Sequence, residues 1–103
     1  MTDEARETVA VVLMKSEEAD ATLAVLRRDC PKVRISDHGT FWMLKAEDEI
    51  AVDLEQVATE LGRPLSLAQW LVIMTSYVGR VETEQSSFLV TAKMSQLEPD
   101  GLS

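Results

Sequence analysis

His38 is the only histidine in the sequence and Cys30 the only cysteine, so acid–base, nucleophilic or metal chemistry would have to centre on one of them or on carboxylates alone. His38 stands between Asp37 and Gly39, a setting that reads as a tight turn in which glycine supplies the positive φ. A catalytic or metal-binding histidine needs convergent partners, and none stands at a recognisable ligand spacing. A cofactor-free enzyme would have to use His38 or Asp37 as its base, with nothing around them to tune it. Cys30 falls on the apolar stripe of an expected helix beside Pro31, where it reads as a small buried hydrophobe. Glu47, Asp48 and Glu49 are consecutive, whereas calcium loops alternate their carboxylates around a glycine, so this run reads as a solvated loop. Gly62 and Gly79 are isolated and form no phosphate-cradling motif. Serine-nucleophile signatures are missing as well. The residues therefore point away from an enzyme, and no metal, flavin or other cofactor is expected.

The elements that must position these residues follow from the length. With 103 residues, 46% of them hydrophobic, the chain suffices for one compact domain. No apolar run approaches the roughly 20 residues of a membrane span. The opening MTDEARET is acidic and polar, unlike a signal peptide, and a lone thiol builds no disulfide framework. A cytoplasmic protein without a membrane partner is the expectation. The net charge of −8 argues against nucleic acid, whose phosphates call for clustered Lys and Arg. Part of that charge lies in the termini.

Thr8 to Met14 is a continuous apolar run rich in β-branched residues, which suits a central strand covered on both faces. Ser16 caps a helix with Glu17, Glu18 and Asp20 in its first turn and Arg27 and Arg28 in its last. Ala19, Leu23, Leu26 and Cys30 form its buried stripe, and Pro31 ends it. Lys32 to Asp37 alternates, His38-Gly39 turns, and Thr40 to Ala46 returns as a second strand. The order then recurs. Ile50 and Val52 make an extended segment, and Asp53 with Gln56 reads as a reciprocal capping box. Leu54, Val57, Ala58 and Leu61 form the stripe of the next helix, with Gly62 at its end and Pro64 barring continuation. Ser66 to Gln69 reads as a helical turn, Trp70 to Thr75 as a buried strand, and Ser87 to Met94 as the last strand. The whole is an α+β fold of two βαββ-like halves sharing one core over residues 8–94. Flexible termini are expected over residues 1–7 and 95–103.

Trp42 and Trp70 lie in apolar runs and read as core. Ser76-Tyr77-Val78-Gly79-Arg80 differs, because the strand pattern breaks there. Small, aromatic and arginine side chains at a break suit an interface anchor. A bulge with an arginine stem laid along the surface suits the same composition.

The stretch Glu60 to Glu82 (ELGRPLSLAQWLVIMTSYVGRVE) resembles the effector, or coupling, proteins of soluble bacterial multicomponent di-iron monooxygenases. These are the regulatory components of methane, phenol, toluene and alkene or alkane monooxygenases. A helix ending in Leu61-Gly62-Arg63-Pro64, then Leu65, then an apolar segment running into Ser76-Tyr77-Val78-Gly79-Arg80, carries the likeness. The opening strand, the helix and the turn at Asp29-Cys30-Pro31 extend it to about Thr8 to Met94, although many relatives have Asn where Cys30 stands. The resemblance implies a cofactor-free protein that docks on the oxygenase (hydroxylase) component, whose own chain holds the di-iron centre. Docking would reshape the active site and raise both turnover and the coupling of hydroxylation or epoxidation to electron use. Ser76, Tyr77, Gly79 and Arg80 are the expected contacts. The alternative is a small-molecule-sensing α+β module, which would need a convergent polar pocket.

Overall fold

The computed structural model describes residues 8–92, so the termini expected to be flexible lie outside the described residues. Strand β1 (Val9–Met14) leads into α1 (Glu17–Asp29). Ser16 caps this helix by accepting the amide of Ala19 at 3.0 Å, and its charged turns lie where the dipole favours them. The hairpin β2 (Arg34–Asp37) and β3 (Phe41–Ala46) follows. Its turn contains Gly39 at φ +89°, closed by the His38 amide donating to the Phe41 carbonyl at 2.9 Å.

After β4 (Glu49–Asp53) comes α2 (Leu54–Leu61). It ends at left-handed Gly62, whose N–H donates to the Ala58 carbonyl, a geometry open to glycine at little steric cost. Asp53 caps α2 by accepting the amides of Glu55 and Gln56. The expected reciprocal box does not close, because the Gln56 side-chain oxygen accepts instead from the Arg28 guanidinium at 3.0 Å and ties α2 to α1. A reciprocal box occurs one helix later. Ser66 Oγ accepts the Gln69 amide at 3.1 Å while Gln69 Oε1 accepts the Ser66 amide at 2.9 Å.

That box opens α3 (Leu67–Ile73), which corrects the expected strand over Trp70 to Thr75. An unbroken apolar run does not distinguish a buried strand from a short buried helix, and the Ser66–Gln69 cap decides for the helix. The chain becomes extended only at β5 (Met74–Val78), then crosses into β6 (Arg80–Glu84) and β7 (Ser87–Thr91). β6 is an additional strand. The second half is therefore β–α–α–β–β–β, richer than the βαββ expected of it.

Two antiparallel sheets result, ordered β2-β3-β1-β5 and β4-β7-β6. In the first, Val9, Val11 and Leu13 share a face with their partners Ala46, Leu44 and Trp42. In the second, Ile50 and Val52 lie opposite Val90 and Phe88. These rows and the inward sides of the helices make one core. Trp70 sits fully buried within it, its ring 4.8 Å from that of Phe88. Its indole N–H donates to Thr22 Oγ1 at 3.0 Å, and that hydroxyl donates to the Glu18 carbonyl. The expected core role of Trp70 holds, though on a helix.

Candidate functional site

The break at residues 76–80 is where the chain changes sheets. Gly79 adopts φ +134°, and a Cβ placed there would meet Val90 Cγ2 at 2.6 Å and the Thr91 carbonyl at 2.9 Å. Only glycine lets the backbone pass this close to β7. Of the four expected contact residues, Gly79 thus has its missing side chain directed at the interior, while Ser76, Tyr77 and Arg80 are exposed. Tyr77 pairs with Val11 and Ser76 with Val12, so their side chains leave β5 on opposite faces. Arg80 lies on the other sheet, paired with Thr91, with its guanidinium 4.0 Å from Glu82. The segment does not form one compact cluster. It presents three side chains on three faces around a tight crossover.

The apolar run of β1 implies cover on both faces, and among the described residues only one face is packed by other elements. Alternate residues of the first sheet belong to a second row that points away from the core. Val12 lies between Met43 and Ser76, Met14 opposite Phe41, and Ala10 between Lys45 and Val78. Val12, Phe41 and Met43 are half-buried but do not join the core. Met14 and Val78 are 43% and 59% exposed. The unbroken apolar character of Thr8 to Met14 was the signal for this row, since a strand with one wet face ordinarily alternates.

The groups that could do chemistry are occupied structurally. The His38 ring stacks on Phe41 at 5.0 Å, and its Nε2 lies 3.0 Å from Ser36 Oγ. Lys15 Nζ donates to Asp37 at 2.7 Å, and with the Gly39 amide this holds the Asp37 carboxyl below its ordinary range. The same ammonium lies 4.6 Å from the centre of the Trp42 ring, a cation–π contact. Trp42 itself is half-buried against the core, and its Nε1 is buried without an acceptor. Burial pushes the Cys30 thiol up, with Asp29 and Glu49 adding to the effect, which opposes thiolate chemistry. Among the described residues no group of three or more His, Cys, Asp or Glu could hold a metal ion. No helix there is long and apolar enough to cross a membrane. An open groove of 350 Å³ between α1 and α2 is lined by Glu17, Asp20 and Glu60 over Ala21, Ala24 and Leu61. Its polar groups are all carboxylates, and it lacks the convergent donors that a small-molecule sensor needs.

Comparison with known proteins agrees with this geometry. The sequence model of the MmoB/DmpM family matches residues 7–91. The methane monooxygenase regulatory protein B of Methylosinus trichosporium is 32% identical over 95 residues, covering 87% of this chain and 69% of that protein. Its counterpart from Methylococcus capsulatus is 31% identical over 98 residues, covering 89% and 70%. The solved soluble methane monooxygenase regulatory protein B shares the fold with a TM-score of 0.71 at 29% identity, over 93% of this chain and 72% of that one. A chain of the solved phenol hydroxylase–regulatory protein complex gives 0.75 at 18% identity, over 82% and 98%, a likeness of fold alone. This chain belongs to the MmoB/DmpM family.

Proposed function

We propose that this protein is the effector component of a multicomponent monooxygenase: it docks on the hydroxylase and changes how that enzyme turns over, without supplying a reacting group. Family membership carries the reading, because both curated relatives are named regulatory proteins. The solved complex of a phenol hydroxylase with its regulatory protein supports a hydroxylase as partner. In this reading the di-iron centre, the reductase and the electron carriers belong to other chains.

The mechanism is differential binding. An effector that prefers one hydroxylase conformation shifts the population toward it, by no more than the difference in its two affinities. Reshaping the active site, higher turnover and tighter coupling to electron use would all follow from that preference. Tyr77 and Arg80 are the anchors in this proposal. Both are exposed beside a crossover held by Gly79, so little backbone freedom would be lost on docking.

Titration of Tyr77→Ala and Arg80→Ala into the cognate hydroxylase, with circular dichroism to confirm folding, tests this. A true anchor should lose at least about 2 kcal/mol, roughly thirtyfold in affinity. Folded variants that bind as tightly as wild type would remove this segment from the contact.

A further inference from the structure

We infer that the outward face of the β2-β3-β1-β5 sheet is a second surface that meets the hydroxylase, beside the Tyr77 and Arg80 crossover, and that Arg34 and Lys45 at its corner receive carboxylates from an otherwise apolar partner surface. The inference rests on the effector reading above and names the chemistry of its partner.

Charge is the first argument. Arg34 and Lys45 are directly opposed across the β2–β3 ladder, and both are exposed. Like charges so placed destabilise a sheet. Neither has an ion-pair partner among the described residues, although the protein as a whole carries −8. Among the described residues, an acidic protein thus leaves this basic pair without a carboxylate paired to it. A complementary acidic surface would neutralise it on docking.

The neighbouring residues give the second argument. Beyond Lys45 the face is uncharged. Met43, Val12 and Ser76 form one row across three strands, and Phe41 with Met14 the next. The outward face of the other sheet is different, carrying Glu49, Asp53, Arg80, Glu82 and Glu84, all exposed. A broad apolar centre with charge at its margin is the anatomy of a docking surface. Ser76 and Val78 place this face in continuity with the crossover.

The test is stopped-flow association with the cognate hydroxylase at two ionic strengths. Wild type should associate more slowly as salt rises. Arg34→Glu/Lys45→Glu should associate at least about fivefold more slowly at low salt and lose or invert that dependence. Arg27→Glu changes another exposed cation, on α1 rather than on this sheet, and should stay within about twofold of wild type. Met43→Ser should raise Kd at least about tenfold while leaving the association rate unchanged. On the free protein, Lys45→Ala should raise the urea midpoint while weakening docking, a divergence that a merely structural lysine would not show. If wild type binds but the double variant keeps its rate and salt dependence, the inference is overturned and the effector reading stands. Equal slowing by Arg27→Glu also overturns it, since net charge alone would then account for the effect. A wild-type protein that does not bind overturns both.

Discussion

Replacing Gly79 with alanine tests whether the crossover between the sheets is as tight as its geometry says. Two costs arise. The first is conformational, since φ is +134° and a side chain held in such a region costs about 1–3 kcal/mol. The second is steric. The added Cβ would lie 2.6 Å from Val90 Cγ2, 2.9 Å from the Thr91 carbonyl and 3.1 Å from Val9 Cγ1. Val9 and Val90 have 0% exposure, and the carbonyl belongs to β7, so none of the three can swing into solvent. Such overpacking adds about 1–3 kcal/mol. The total, about 2–6 kcal/mol, is a large share of the 5–15 kcal/mol typical of a whole domain. Gly62 supplies the control. Its φ is +86°, yet no atom lies within 4 Å of an added Cβ, so Gly62→Ala should cost only about 1–2 kcal/mol. Urea denaturation followed by circular dichroism reads both variants. A Gly79→Ala protein no less stable than Gly62→Ala would refute the packing account of the crossover.

The core hydrogen bond from Trp70 gives a second outcome. Thr22→Val is nearly isosteric but leaves the buried indole N–H without its acceptor, and should cost about 1–3 kcal/mol in the same urea melts; a neutral effect would mean that the indole finds another partner. The Lys15–Asp37 contact gives a pH dependence. The folded carboxyl titrates below its unfolded value, so its stabilisation is present above the unfolded pKa and disappears as pH falls through the folded one. Asp37→Asn should therefore lower the urea midpoint most above the ordinary carboxylate range, and the gap should close as pH falls below that range; a gap independent of pH would contradict the charged contact.

What the sequence revealed depended on local punctuation. Ser16, the charged turns of α1, Gly39, Asp53 and Gly62 each act on the backbone within a few residues, and the elements they bound are legible in the sequence. The failures lie where tertiary context decided. LAQWLVI is apolar nearly throughout, so its periodicity could not separate helix from strand; the reciprocal cap was assigned to Asp53, while the residues that close one are Ser66 and Gln69. β6 is hard to read from sequence because Arg-Val-Glu-Thr-Glu contributes only Val81 as an apolar contact to the core. The break at residues 76–80 was legible as a change of pattern. Its cause, a crossing between sheets beneath Val90, needs β7 and could not be read locally. The outward row of the first sheet is legible as excess hydrophobicity in β1, but sequence alone does not say that no other described element packs on that face.

The most direct test of the effector account is the amount of product formed per electron consumed by the cognate hydroxylase and its reductase, measured as this protein is titrated in at fixed enzyme. The account predicts a saturable rise in turnover and in product per electron, with the rise shifted to higher concentration for Tyr77→Ala. Turnover and yield that stay constant up to a large excess of folded wild-type protein, with a hydroxylase shown to be active, would contradict it.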